Sequence, residues 1–181
     1  LAFLKEMVAI ETPSADAGAQ EALFHWLEAR FRALGMYTLR IPGKKTGGYL
    51  YARPSRRTRS LPVQLLLGHS DTVWPRGTLL QMPIEQDGHQ LTGPGVYDMK
   101  AGVTQIYFAL KCIKELALPL QVEPLVLINS DEEIGSRESG HAIARLARIA
   151  DRAFVLEPPL GLEGHLKTAR KGLGRFTLEV E

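Results

Sequence analysis

Pro124-Leu-Val-Leu-Ile-Asn-Ser-Asp131-Glu132-Glu133-Ile-Gly135-Ser136 is the stretch around which the chain is organised. Leu125 to Ile128 is an unbroken apolar run, which predicts a strand buried on both faces of a sheet. It runs directly into Asp131, Glu132 and Glu133, then Gly135, then a helical pattern. Three adjacent carboxylates at the end of a buried strand repel one another and lose hydration. A cation is the most direct compensation. Neighbouring residues point in different directions, so Glu132 and Glu133 are free to differ in role: one holds a metal while the other works as a general base. A solvated acidic loop would look the same in isolation. Other strands ending in the same way decide against it.

The first of these is Val63 to Leu67, also unbroken and apolar, ending at Gly68-His69-Ser70-Asp71-Thr72-Val73. His69 and Asp71 share a face if the backbone stays extended. That spacing suits a metal-ligating imidazole whose second nitrogen is held by Asp71, directly or through the backbone. A further apolar strand, Ala153-Phe-Val-Leu-Glu157-Pro-Pro159, ends in an isolated carboxylate followed by two prolines. Between them lies Leu91-Thr-Gly-Pro-Gly-Val-Tyr-Asp98-Met-Lys-Ala-Gly102. A helix is predicted to begin near Asp98, since Val103, Ile106, Tyr107 and Leu110 recur at helical spacing. A plain helix cap would account for Asp98 but not for its Gly-Pro-Gly approach.

The remaining elements alternate. Short helices are predicted at Leu4 to Ile10 and Glu138 to Ile149. An amphipathic helix is predicted at Ala19 to Leu34, carrying Leu23, Trp26, Leu27, Phe31 and Leu34 and stopped by Gly35. Strands are expected at Met36 to Ile41 and Gly48 to Arg53, and an alternating one opens at Gly172 to Glu181. This order gives an α/β fold, a three-layer α-β-α arrangement with a largely parallel central sheet. Functional groups in such sheets gather beyond the carboxyl ends of the strands. One imidazole among several carboxylates suits zinc, manganese or cobalt better than magnesium, and there are enough carboxylates for two metals sharing a bridging Asp and a water.

Composition narrows the classes. A net charge of +2 over 181 residues is too small to argue for nucleic acid or an anionic membrane as partner. The single cysteine, Cys112, forbids an internal disulfide or a cysteine metal cage. The four arginines of Arg53 to Ser60 lack interleaved aromatics and read as a solvated loop.

Taken together, His69-Ser-Asp71-Thr-Val, Gly93-Pro-Gly-Val-Tyr-Asp98-Met-Lys-Ala-Gly102, Asn129-Ser-Asp-Glu-Glu-Ile-Gly135-Ser and Leu156-Glu157-Pro158 resemble the dinuclear zinc amidohydrolases. That family includes glutamate carboxypeptidases, acetylornithine deacetylases, succinyl-diaminopimelate desuccinylases and aminoacylases, and the glutamate carboxypeptidase branch is the most similar. The resemblance implies that His69, Asp98 and Glu157 hold one Zn2+, with Asp98 bridging to a second held by Glu133; Co2+ or Mn2+ would be substitutes. It implies that Glu132 is the general base and Asp71 the residue that orients His69. It also implies a non-proline cis peptide after Asp98. The expected activity is hydrolysis of an amide bond in a small peptide, as in a glutamate carboxypeptidase. The alternatives are deacylation of N-acyl amino acids or a non-catalytic metal-binding scaffold.

The family pattern is about twice as long as this chain and continues into a lid used for dimerisation, then returns with a histidine that completes the second metal site. Residues 1–168 correspond to the first part of the catalytic domain and 169–181 to the start of the lid. The expected 181-residue piece is therefore inactive alone, and the homodimer contact lies in the lid. The expected compartment is the cytoplasm, or the periplasm or exterior where a leader was removed ahead of Leu1.

Overall fold

The computed structural model describes every residue except Leu162, Thr168, Arg170, Leu173, Arg175 and Glu181. A five-stranded sheet is built from β1 (Met36–Ile41), β2 (Tyr49–Pro54), β3 (Val63–His69), β6 (Glu123–Asn129) and β7 (Arg152–Val155), in the spatial order β1-β2-β6-β3-β7. A separate hairpin, β4 (Glu85–Asp87) with β5 (Gln90–Thr92), turns at Asp87-Gly88. Helices α1 (Ala2–Ala9), α2 (Ala17–Ala33) and α3 (Ala101–Glu115) pack on one face of the large sheet, and α4 (Gly140–Ala147) on the other. Three layers result, as expected.

The continuous apolar run of β6 has the cause inferred for it. All seven of its residues are buried. Val126 and Ile128 point into the larger core with Leu23, Phe24, Leu27 and Phe31 of α2 and Val103, Ile106 and Tyr107 of α3. Leu125 and Leu127 point the other way, onto Ile143 and Leu146 of α4. Period-two alternation within one apolar run therefore feeds two cores at once. Helix α2 is capped by Asp16, whose side chain accepts the Ala19 N–H at 2.9 Å. Its Phe31 is fully buried, and truncating it to alanine would cost about 3–5 kcal/mol.

The sheet is mixed: four of its five strands point the same way, as expected, and β2 alone is reversed. β3 pairs with β6 and β7 in parallel, but β2 runs antiparallel to both β1 and β6. The reason lies in the connections: β1 and β2 are joined by a short loop with no crossover helix, which can only produce an antiparallel pair. Among the described residues, 176–180 of the alternating pattern at the end of the chain form no strand and are exposed; Leu173, Arg175 and Glu181, which fall in the same expected strand, lie outside the described residues.

The parallel half positions the functional groups. Its register sets His69 opposite Asn129 and Leu67 opposite Val155. Two residues beyond Val155 the chain reaches Glu157, at the level of His69. The ends of β3, β6 and β7 therefore deliver His69, the Asp131–Glu133 loop and Glu157 to one edge.

Candidate metal centre

Asp98 reaches that edge by another route. It does not cap α3, which starts at Ala101 behind Lys100 and has no side-chain cap. Instead it sits in an irregular turn, Val96–Lys100, with extended dihedrals (φ −114°, ψ 104°). Gly95 enters this turn at φ 68°, in the left-handed region where a side chain is strained. The Asp98–Met99 peptide is cis, as the resemblance implies. Gly102 then lets the first turn of α3 press on the strand β7 exit, because a Cβ there would overlap the Leu156 carbonyl oxygen. This close approach brings Asp98 beside Glu157.

All six residues singled out in the sequence meet here. His69 Nε2 lies 3.0 Å from Asp98 Oδ1 and 3.4 Å from Glu157 Oε1. Two sets of three offer ligand atoms within 4.8 Å of one another: His69 with Glu132 and Glu157, and His69 with Asp98 and Glu133. His69 and Asp71 are buried, Glu133 is half-buried and Glu132 is exposed. His69, Asp98, Glu132, Glu133 and Glu157 line a cleft of about 600 Å³ with Tyr97 and Lys167, while Asp71 lies behind it. The grouping differs in detail from the resemblance, which puts Asp98 and Glu157 on the same ion as His69. His69 belongs to both sets, and its Nε2 is within 3.4 Å of both Asp98 and Glu157, so the two sets form one cluster.

His69 Nδ1 lies 3.0 Å from the Asp71 backbone carbonyl, which can only accept, so Nδ1 carries a proton. The Asp71 carboxylate stands 3.4 Å from the same nitrogen. The backbone is thus the nearer partner, and Nε2 is the nitrogen turned to the acidic cluster. Asp71 has a second role that spacing did not reveal. Its Oδ1 accepts the Glu132 N–H and its Oδ2 the Glu133 N–H, each at 3.2 Å. One buried carboxylate therefore holds the histidine and the acidic pair in fixed relation.

Asp131 leaves the cluster. It is completely buried and accepts from Glu138 N at 2.7 Å, Ser139 N at 3.1 Å, the Ser139 hydroxyl and Asn129 Nδ2 at 3.1 Å. Its charge is met by the protein, and it pins the loop that carries Glu132 and Glu133.

The cluster itself is short of positive charge. Burial raises the Glu157 pKa, Asp98 and Glu132 raise it further, and against the opposing pull of His69 it reaches about 7. Burial also raises Glu133, with Asp98, Asp71 and Glu132 adding to it. At His69 burial disfavours the imidazolium, but the hydrogen bond and charge of Asp71, with Glu157 and Glu132, outweigh it and hold the pKa at about 9. Carboxylates and an imidazole whose pKa values are all raised describe a site whose acidic charge is uncompensated. One imidazole and four carboxylates, with few protein donors aimed at them, fit a borderline divalent cation.

Sequence reasoning missed the polar groups beneath the cluster. Gln20 and Lys100 are buried, and each announces itself as a polar residue on an apolar helical stripe: Gln20 with Leu23 and Leu27, Lys100 with Val103 and Tyr107. Lys100 donates to the carbonyls of Met7 at 3.3 Å and Ile10 at 2.8 Å, at the end of α1. Ser14 carries no such signal.

Comparison with known proteins agrees with this geometry. The chain is 31% identical over 183 residues to carboxypeptidase G2 of Pseudomonas sp. (strain RS-16), an alignment covering 98% of this chain and 43% of that protein. Human carnosine dipeptidase 1 superposes with a TM-score of 0.74 at 18% identity, over 87% of this chain and 38% of that one. A family M20 metallo-carboxypeptidase of Sulfolobus solfataricus gives 0.73 at 20% identity, over 89% and 38%. The chain thus spans less than half the length of these relatives, and the two structures speak for the fold alone. Residues 65–174, which hold the ends of β3, β6 and β7 that carry the site residues, match the sequence pattern of peptidase family M20/M25/M40. The chain belongs to peptidase family M20/M25/M40.

Proposed function

We propose that the chain carries the metal-holding part of an amide-bond hydrolase that acts on small peptides in the manner of a carboxypeptidase. The observation that supports it is the convergence of His69, Asp98, Glu132, Glu133 and Glu157 on one cleft, with Asp71 holding three of them. The likeness to carboxypeptidase G2 favours a peptidase over a deacylase.

His69, Asp98 and Glu157 would hold one zinc ion, and Asp98 with Glu133 a second. When bound, such ions polarise the scissile carbonyl and make water nucleophilic near neutral pH. Asp71 keeps the His69 proton on Nδ1, so that Nε2 can present its lone pair. Glu132, exposed in the cleft, accepts a proton from the attacking water on a carboxylate oxygen and returns it to the departing amine nitrogen. Tyr97, half-exposed beside Asp98, walls the cleft on one side. In the same reading, residues 1–168 belong to the catalytic domain and 169–181 lead towards a lid that completes the site and forms a homodimer.

Turnover by the full gene product, supplied with zinc and assayed on peptides ending in glutamate and on N-acyl amino acids, tests this. Cleavage of the peptides is expected. Exclusive cleavage of N-acyl amino acids would make the protein a deacylase, and no cleavage of either by a zinc-loaded protein would leave a binding scaffold.

A further inference from the structure

A buried polar layer beneath the site ties it to the beginning of the chain. Between α1 and α2, residues 12–14 run alongside residues 70–72. Pro13 bridges Thr72 in parallel, Thr72 N–H donates to the Thr12 carbonyl at 2.9 Å, and Ser14 N–H donates to the Thr72 carbonyl at 3.2 Å. The Thr12 hydroxyl donates to the Ser70 carbonyl at 2.6 Å. Gln20, reaching over from α2, donates to the carbonyls of Pro13 at 2.9 Å and Ser130 at 2.8 Å and accepts the Gly47 N–H. These bonds fix the backbone on which both His69 and the acidic loop are mounted.

One side chain of this strap touches the machinery itself. The buried Ser14 hydroxyl lies 2.7 Å from Asp71 Oδ2 and 3.3 Å from the Thr72 carbonyl. It has a single proton, and the shorter bond, to a charged acceptor, takes it. The other bonds to the Asp71 carboxylate are the two amides at 3.2 Å and the histidine contact at 3.4 Å. All three are longer. The hydroxyl is therefore the strongest single constraint on how that carboxylate is turned. A rotation about its terminal torsion, which is soft in aspartate, would take one oxygen away from an amide and from the histidine together.

We propose that Ser14 is a positioning residue: by donating to Asp71 Oδ2 it fixes the carboxylate that holds the Glu132 and Glu133 amides and His69 in register. This rests on the reading of those residues as base and metal ligands. Ser14 touches neither metal nor substrate. Its effect passes through Asp71 to the ligand Glu133 and to His69, so zinc affinity reports it independently of turnover.

The experiment compares Ser14→Ala and Ser14→Thr in the full gene product, reading the zinc dissociation constant by chelator competition, then kcat and KM. For Ser14→Ala the zinc dissociation constant is expected to rise about tenfold, the lower end for a residue supporting metal ligands. kcat should fall by a similar factor with KM little changed, and Ser14→Thr, which keeps the hydroxyl, should restore both. Unchanged zinc affinity and kcat in Ser14→Ala would overturn the proposal. Equal losses in both variants would also overturn it, because volume rather than the hydrogen bond would then be responsible. So would a Ser14→Ala protein that fails to fold while Ser14→Thr folds, since the role would then be purely structural. A shift in zinc affinity with no peptide or acyl substrate turned over would support Ser14's role while removing the hydrolase reading.

Discussion

Two groups of carboxylates lie within one loop's length of each other and behave in opposite ways. Asp131 and Glu138 are surrounded by donors. Asp131 takes the amides of Glu138 and Ser139, and Glu138 takes the amides of Lys44, Lys45 and Thr46 together with the Thr46 hydroxyl. The Thr46 hydroxyl, with those amides, lowers the Glu138 pKa. Glu133 and Glu157 are partly buried and face mostly other acids, and burial first, then those neighbours, raises their pKa values. The first group holds the fold together. The second is left for something the protein does not itself supply, and the difference lies in where backbone N–H groups and a few side-chain donors point.

The largest expected effect separates the base from its neighbours. Glu132→Gln in the zinc-loaded full gene product should lower kcat by about 10²–10⁴-fold with metal content unchanged, because the amide keeps the shape but cannot take the proton. Steady-state kinetics beside metal analysis checks this, and activity near wild type would move the base elsewhere. Next comes stability. Asp131→Ala strands buried donors and should cost about 3 kcal/mol in chemical denaturation. Glu157→Gln in metal-stripped protein should cost nothing or stabilise, since it removes a charge from a crowd. Equal losses from the two would dissolve the distinction between the groups.

The smallest effect concerns Glu138. Its folded pKa lies below the ordinary 4.5, so its contribution is present above that pH and is lost as the pH falls through the folded value. Glu138→Gln should therefore lower the thermal midpoint modestly at pH 7, with the gap to wild type closing as the pH falls below 4.5 and through the lowered folded value. A gap that stays constant across this range would mean that the charge of Glu138 contributes nothing.

Much of this was legible in the residues because it is written in hydrophobicity. The buried strands β3 and β6 declare themselves by unbroken apolar runs, and the site residues by what stands at their ends. Strand direction is not written there. β2 is antiparallel to β6 because of how the chain turns before it, which the apolar pattern of Leu50 and Ala52 does not encode. Neither is the fate of a polar side chain: Asp131 and Glu132 are neighbours of one type, yet one is sealed among amides and the other opens on the cleft. Ser14 was invisible for the same reason, since its partner, Asp71, lies far along the chain. Gln20 and Lys100 could have been found, because a polar residue in phase with an apolar stripe must be buried or expose its neighbours.

The claim on which the rest depends is that the cluster around His69 is a divalent-cation site. Its most direct test is zinc titration of metal-stripped full gene product, read by calorimetry and by the shift in unfolding free energy. The account predicts uptake with release of protons, and a gain of about 2.7 kcal/mol at free zinc one hundred times the dissociation constant. Both should be lost or greatly weakened in His69→Ala. A folded wild-type protein that takes up no zinc, cobalt or manganese, or a His69→Ala variant that binds zinc as tightly as wild type, would contradict it.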